Sequence, residues 1–227
     1  MLRFVIFKKP SAQIPRHVYR SLDEEQHALD LLKGWIRVST LEWLRNTERQ
    51  RGDPDEATIH YEHGSINSNE DTPENRQVLA NLANMGFVIE PGGQYLINTE
   101  RPIQITHRPS NGYLVCTSTR PPTEKMRRLF GHYCVKIAEP EAFVQAIGRA
   151  LLREGLVTQE HFYGPVNYGG RRHAGATAIP APAAFTGAPD AAHEGEYRFF
   201  WTPSPTARVE PVVVYSPELG RLCSRFG

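Results

Sequence analysis

Of 227 residues only three are cysteine: Cys116, Cys134 and Cys223. None belongs to a Cys-x-x-Cys pair, so neither a disulfide framework nor a dense zinc signature is expected. The odd count, with no secretory leader, predicts a reducing compartment and a cytoplasmic protein. Long apolar runs are missing too. The opening run in MLRFVIFKKP is about five residues, too short for a signal core, and nothing approaches the ~20 residues of a membrane helix. Neither sign of charge is in excess: 26 Lys+Arg against 25 Asp+Glu leave a formal net charge of +1. No global field therefore draws in nucleic acid.

Several motifs are absent. There is no G-x-x-x-x-G-K-[ST] loop and no G-x-G-x-x-G after a strand, which removes the commonest ATPase and dinucleotide-fold readings. NAD binding by another fold stays open. No G-x-S-x-G elbow supports a serine hydrolase. No His-Glu-x-x-His is found, and His60 and His63, three apart on a predicted strand, face opposite ways; no metal site is expected.

The elements present are short. Apolar and β-branched runs predict strands at Arg3–Phe7, His17–Arg20, Ile36–Ser39, Thr58–His63, Ile103–Thr106, Gly112–Thr119, His132–Ile137, Phe162–Tyr168 and Val209–Tyr215. Phe87–Asn98, with Pro91-Gly92-Gly93-Gln94 at its centre, predicts a hairpin. Helices are expected after Ser21, whose spacing to Glu24 is a capping-box pattern, then over Thr40–Thr47, Thr123–Phe130 and Pro140–Glu154. The first presents Ala28, Leu29 and Leu32 on one stripe, with Gly34 as its stop. The last is the clearest, with Phe143, Ile147, Ala150 and Leu151 on one stripe. Asp53-Pro54 is a breaker, and Asn67–Arg76 is polar enough for a surface loop. Residues 169–190 are rich in Gly, Ala and Pro without a period, which predicts a long mobile connection. Many strands and few helices, without βαβ alternation, give an α+β fold of mainly antiparallel, split sheets with a few flanking helices. One domain over residues 1–227 accommodates them.

The stretch from Asp190 to Pro203 holds the densest chemistry. Four aromatics in five residues predict a strand bounded by Pro189 and Pro203. Alternation puts Tyr197, Phe199 and Trp201 on a core face, and Glu194, Glu196, Arg198 and Phe200 on the other. Two carboxylates two residues apart raise one another's pKa unless a cation offsets them. The plain alternative is an ordinary strand edge with Glu196 and Arg198 paired in solvent. Basic residues gather at Arg120, Lys125, Arg127 and Arg128, and at Arg171-Arg172-His173. These are phosphate contacts or, without aromatic interleaving, solvated faces.

Three pieces follow in order: Tyr19-Arg20, then Cys116-Thr117-Ser118-Thr119, then Glu194-Gly195-Glu196. In this the sequence resembles ADP-ribosyltransferase-like proteins, the class marked by an arginine, a Ser-Thr-Ser-like strand and a Glu-x-Glu. It is also similar, over residues 17–203, to a family of uncharacterised bacterial domains suspected of the same fold. The shared positions there are Tyr19-Arg20-Ser21, Leu32 to Ser39, Asp53-Pro54-Asp55-Glu56, Gly131-His132-Tyr133 and Glu194-x-Glu196-x-Arg198. Position 116 departs from the pattern, so the hydroxyl triplet is Thr117-Ser118-Thr119.

The resemblance implies three strands of one split sheet around NAD, consumed as substrate. It gives Glu196 the stabilisation of an oxocarbenium-like ribose, Glu194 the activation of an acceptor and Arg20 a fork onto the pyrophosphate or a ribose. Thr117, Ser118, Thr119 and Arg198 border the ribose, and Tyr19 or Tyr133 stacks on nicotinamide. The acceptor would be a macromolecule, protein or nucleic acid, or water. Two alternatives stand beside this. One is an inactive binding or inhibitory module of the same fold in toxin or phage–host systems. The other is an RNA-directed phosphate-transfer enzyme, which wants more basic residues than Arg20 and Arg198 at its pocket.

Overall fold

The computed structural model describes residues 14–51, 55–64, 66–67, 72–85, 96–97, 102–179 and 182–226. The expected strand Arg3–Phe7, the Asp53-Pro54 breaker and all of the expected hairpin but Leu96–Ile97 lie outside them. In chain order the elements begin with β1 (His17–Leu22), α1 (Glu25–Leu32), β2 (Trp35–Thr40), α2 (Leu41–Arg51), β3 (Ile59–His63) and β4 (Ile66–Asn67). They continue with α3 (Pro73–Asn84), β5 (Leu96–Ile97), β6 (Ile103–His107), β7 (Tyr113–Ser118), α4 (Glu124–Phe130), β8 (Tyr133–Ala138) and α5 (Pro140–Arg153). The last are β9 (Val157–Pro165), β10 (Arg172–Ala174), β11 (Glu196–Pro203), β12 (Val212–Tyr215), α6 (Pro217–Leu222) and β13 (Cys223–Phe226). The fold is α+β and mainly antiparallel, as the sequence predicts. No described helix is long and apolar enough to cross a membrane.

The chain resolves into two compact units. The first takes in β1 to β2, β7 to β9 and β11 to β13. Its sheet has eight strands, in the order β12-β2-β7-β1-β8-β13, with β11 on β7 and β9 on β11. Strand β7 carries three partners. β11 runs along one edge, from Glu196 opposite Ser118 to Trp201 opposite Tyr113. The other edge is divided: β2 meets its start at Tyr113 and Leu114, and β1 meets its end at Ser118. The sheet is therefore split between β1 and β2.

One face of this sheet is apolar because alternate residues of every strand are. Val18, Ile36, Val38, Tyr113, Val115, Val135, Ile137, Tyr197, Phe199, Trp201 and Val214 all lie in one buried cluster. Against them sit Ala28 and Leu31 of α1, Leu219 of α6, and the expected stripe Phe143, Ile147, Ala150 and Leu151 of α5. The first helix departs from expectation. Ser21 is still in β1, Glu24 is the N-cap without a side-chain bond, and Ala28 and Leu31, not Leu29, form its buried side. Sheet pairing to β8 takes Leu22, which delays the helix; Ala28 and Leu32 still face the cluster as expected, and Leu31 takes the place of Leu29. Gly34 ends it with φ +98°, and a Cβ there would meet the Ser216 carbonyl; only glycine fits.

The second unit holds α2, α3, β3 to β6 and β10. Its three-stranded sheet runs β10-β3-β6, the β10–β3 pair being parallel. Ile59, Tyr61, Val78, Leu82, Met85, Ile179 and Ala183 form its core. Helix α3 was not expected: the loop expected over Asn67–Arg76 gives way at Pro73, with Thr72 accepting a cap bond from the Asn75 amide at 3.1 Å. Where a mobile connection is expected, residues 169–190 carry β10 and the 3-10 turn Ala183–Phe185. Tyr61 Oη donates to the Gly175 carbonyl at 2.6 Å. Asn81, fully buried, donates to the Thr177 carbonyl at 2.9 Å and accepts from the Ile179 amide at 3.1 Å.

Those two bonds replace a missing ladder for a segment with no periodic pattern of its own. Asn81→Leu fills the space but strands the buried Ile179 N–H and removes the Thr177 carbonyl's partner. We expect a loss of about 1–3 kcal/mol, the cost of one orphaned buried group, read as a lower urea midpoint with an unchanged slope.

Candidate functional site

Register decides which side chains meet. Directly opposed residues on neighbouring antiparallel strands share a face. Tyr19 lies opposite Ser118, and Ser118 opposite Glu196. So Tyr19, Ser118 and Glu196 form one row across β1, β7 and β11, on the face away from the apolar cluster. The next row on that face pairs Cys116 with Arg198. Three segments that are far apart in sequence are thereby brought together.

Glu196 and Arg198 are bound to each other. Arg198 Nε donates to Glu196 Oε1 at 2.8 Å and Nη2 to Oε2 at 2.9 Å. The arginine side chain is 2% exposed and the carboxylate 15%. The expected pair in solvent is thus a pair, but a buried one. Side-on, two-bond pairing is the strongest geometry available to these groups, and removal from water makes each partner depend on the other. Cys116 is held beside them: burial and the Glu196 charge push its thiol well above the ordinary range, and a hydrogen bond to Glu196 does the same.

Arg20 alternates with Tyr19 and so goes with Val18 and Leu22, opposite Val135. Its Nη2 reaches across the split to donate to the Arg37 carbonyl of β2 at 3.1 Å. Nη1 is buried and has no partner in the structure. Burial pushes its pKa down, while Cys116 and Cys223 oppose that shift. Arg20 thus ties the two halves of the split sheet together.

The hydroxyl triplet is spent mostly on structure. Thr117 Oγ1 donates to the Tyr197 carbonyl at 2.8 Å. Thr119 donates to the Gly195 carbonyl from its amide at 2.9 Å and its hydroxyl at 3.1 Å. Ser118 Oγ accepts from the Arg120 amide at 3.0 Å; of the three, alternation puts Ser118 on the Glu196 face. Tyr133 lies opposite Leu22 and leans on the apolar cluster, away from the row, so it is not brought to Glu196. Glu194 ends the 3-10 turn Pro189–Glu194; its side chain lies outside the described ones.

Two contributors escaped the sequence reading. Cys116 was set aside as a departure from the pattern, although it shares its parity with Ser118. Gly195, with φ +58°, brings β11 in so closely that a Cβ would lie 3.1 Å from Thr119 Oγ1 and 3.4 Å from Arg120 Cγ and Cδ. Among the described residues no group of His, Cys, Asp and Glu is arranged to hold a metal ion. No protein-family model, curated protein or solved structure matches this chain.

Two outcomes follow. Glu196→Ala leaves a buried guanidinium without its counter-charge and is expected to cost about 3–5 kcal/mol, while Glu196→Gln, which keeps an acceptor oxygen, costs less; urea titration of both variants checks the order. The second concerns the thiols. Burial pushes Cys134 up to about 11 and Cys223 to about 12, from 9.0. Above pH 9 the unfolded chain has lost protons that the folded chain keeps, so stability declines as pH rises from there. Alkylation by iodoacetamide at pH 8 is correspondingly slow in the native protein and fast in guanidinium.

Proposed function

We propose that this protein is an intracellular ADP-ribosyltransferase-like enzyme that consumes NAD. The observation that carries the reading is the row Tyr19–Ser118–Glu196 on three adjacent strands, at the split that Arg20 spans. The three strands are far apart in the chain, and nothing in their local patterns obliges Tyr19, Ser118 and Glu196 to meet.

The chemistry suits the side chains. Cleavage of the nicotinamide–ribose bond sends its electron pair out with nicotinamide and leaves positive charge on the ribose. A fixed carboxylate beside that carbon stabilises the developing charge without reorganising, the term that dominates many sites. Arg198 supplies the fixing: its two bonds hold Glu196 in one orientation. An acceptor hydroxyl or water then bonds to the ribose carbon and gives up a proton, with Glu194 as the base. Ser118 orients the ribose, and Tyr19 offers a ring beside it. Arg20 acts by holding β1 and β2 together through its bond to the Arg37 carbonyl.

One observation favours a second reading, an inactive binding module of the same fold. Both oxygens of Glu196 are engaged by Arg198, and a neutralised acid is a weaker electrostatic partner for a cation.

Purified protein incubated with NAD is expected to release nicotinamide. Glu196→Gln is expected to lower the rate by about 100-fold or more, the loss typical of removing one preorganised electrostatic group, with the melting temperature checking that the variant is folded. Absence of release with protein, nucleic acid and water as acceptors, or equal release by the variant, rejects the enzyme in favour of the module.

A further inference from the structure

We infer that Arg120 is the cationic group that holds the pyrophosphate of a dinucleotide at this site, with Lys125 in the first turn of the following helix as a second cation. The inference rests on the NAD-consuming reading and names a contact that Arg20 does not make.

A dinucleotide arrives from solvent with two negative charges on its pyrophosphate, and the contacting guanidinium must be reachable. Arg20 meets that requirement only in part: one of its terminal nitrogens is given to the Arg37 carbonyl at 3.1 Å, in an exposed bond, and the other is buried. Arg198 is 2% exposed and already holds Glu196 through two bonds. Arg120 meets it. Its backbone amide is fixed on Ser118 Oγ at 3.0 Å, so the residue leaves the sheet directly from the row described above. Its Cγ and Cδ run alongside Gly195, the residue before Glu196, and its side chain is exposed. Gly195 takes φ +58°, which side chains rarely adopt, and the Arg120 stem lies within van der Waals reach of where its Cβ would be.

Charge around it points the same way. Lys125 on α4 is exposed, and neither it nor Arg120 has an acidic partner among the described residues. The other cations of the segment are spoken for: Arg127 donates to the His132 carbonyl at 3.1 Å, and Arg128 pairs with Glu124 at 3.2 Å. Arg120 therefore stands next to the Ser118–Glu196 row with no acidic partner among the described residues, and Lys125 is a second exposed cation, on α4. A planar guanidinium matches two phosphate oxygens at once, which lysine does not.

The substitution that tests this leaves the fold alone, because the bond to Ser118 comes from the main chain of residue 120. Binding is measured by titration calorimetry with ADP-ribose, inorganic pyrophosphate and nicotinamide riboside, the last lacking a pyrophosphate. Arg120→Gln is expected to weaken ADP-ribose and pyrophosphate by about tenfold or more, Arg120→Lys to restore part of that, and Lys125→Gln to weaken them by about threefold. Nicotinamide riboside is expected to be unaffected.

Equal ADP-ribose affinity in Arg120→Gln and the native protein overturns the assignment, as does failure of the native protein to bind ADP-ribose. Tighter binding of a single-stranded oligonucleotide than of ADP-ribose, lost in Arg120→Gln, also overturns it, since the phosphates held would be those of a polymer. The two readings fail separately. Arg120-dependent ADP-ribose binding without nicotinamide release keeps the phosphate site and rejects the transferase. Release with an unchanged KM in Arg120→Gln keeps the transferase and rejects the phosphate site.

Discussion

Strand β7 has two edges and must satisfy three neighbours, and the first unit is built around that demand. β11 takes one edge along its whole length, and β1 and β2 divide the other. A divided edge leaves a seam, and a seam in a sheet strands polar backbone groups unless something bridges it. Arg20 bridges it with a bond to the Arg37 carbonyl. The cost is a guanidinium nitrogen buried without an acceptor, a large concession for a fold to carry. Tyr19 and Ser118 flank that seam, and Glu196 lies one strand further across β7.

The face away from the apolar cluster is dominated by a different balance. Arg198 and Glu196 are both largely removed from water, two residues apart on one strand. A pair of this kind adds little net stability compared with an apolar replacement, because each charge gives up its hydration. What it does supply is orientation: a carboxylate gripped at both oxygens has one direction to point. That rigidity suits a group asked to stabilise charge at a fixed position, and suits equally a surface asked to present one shape to a partner.

Legibility in the sequence followed the range of the interaction. The alternation of Tyr197, Phe199 and Trp201 and the stripe of α5 were plain, because each is a local period facing one core. Helix α3 was missed because its exposed first turn, Pro73 to Arg76, is polar and its buried side is carried by Val78, Asn81 and Leu82. A buried asparagine reads as a surface residue until its partners, about a hundred positions on, are known. The meeting of Tyr19, Ser118 and Glu196 was suggested only by a family likeness. Register, which sets it, is a property of paired strands and is not written in any one of them.

The order in which the large sheet is threaded has a consequence for biogenesis. β1 and β2 are synthesised well before their shared neighbour β7, which begins at residue 113, and its other neighbour, β11, begins only at 196. Until both excursions of chain have been synthesised, the seam has no opposite side and Arg198 has no sheet to be buried in. Non-local pairing of this kind folds slowly and exposes unpaired edges meanwhile. A nascent chain that has passed β7 but not reached β11 carries Arg20 and the hydroxyls but no acid beside them. The chemistry proposed here is thus withheld until β11 has been made and paired.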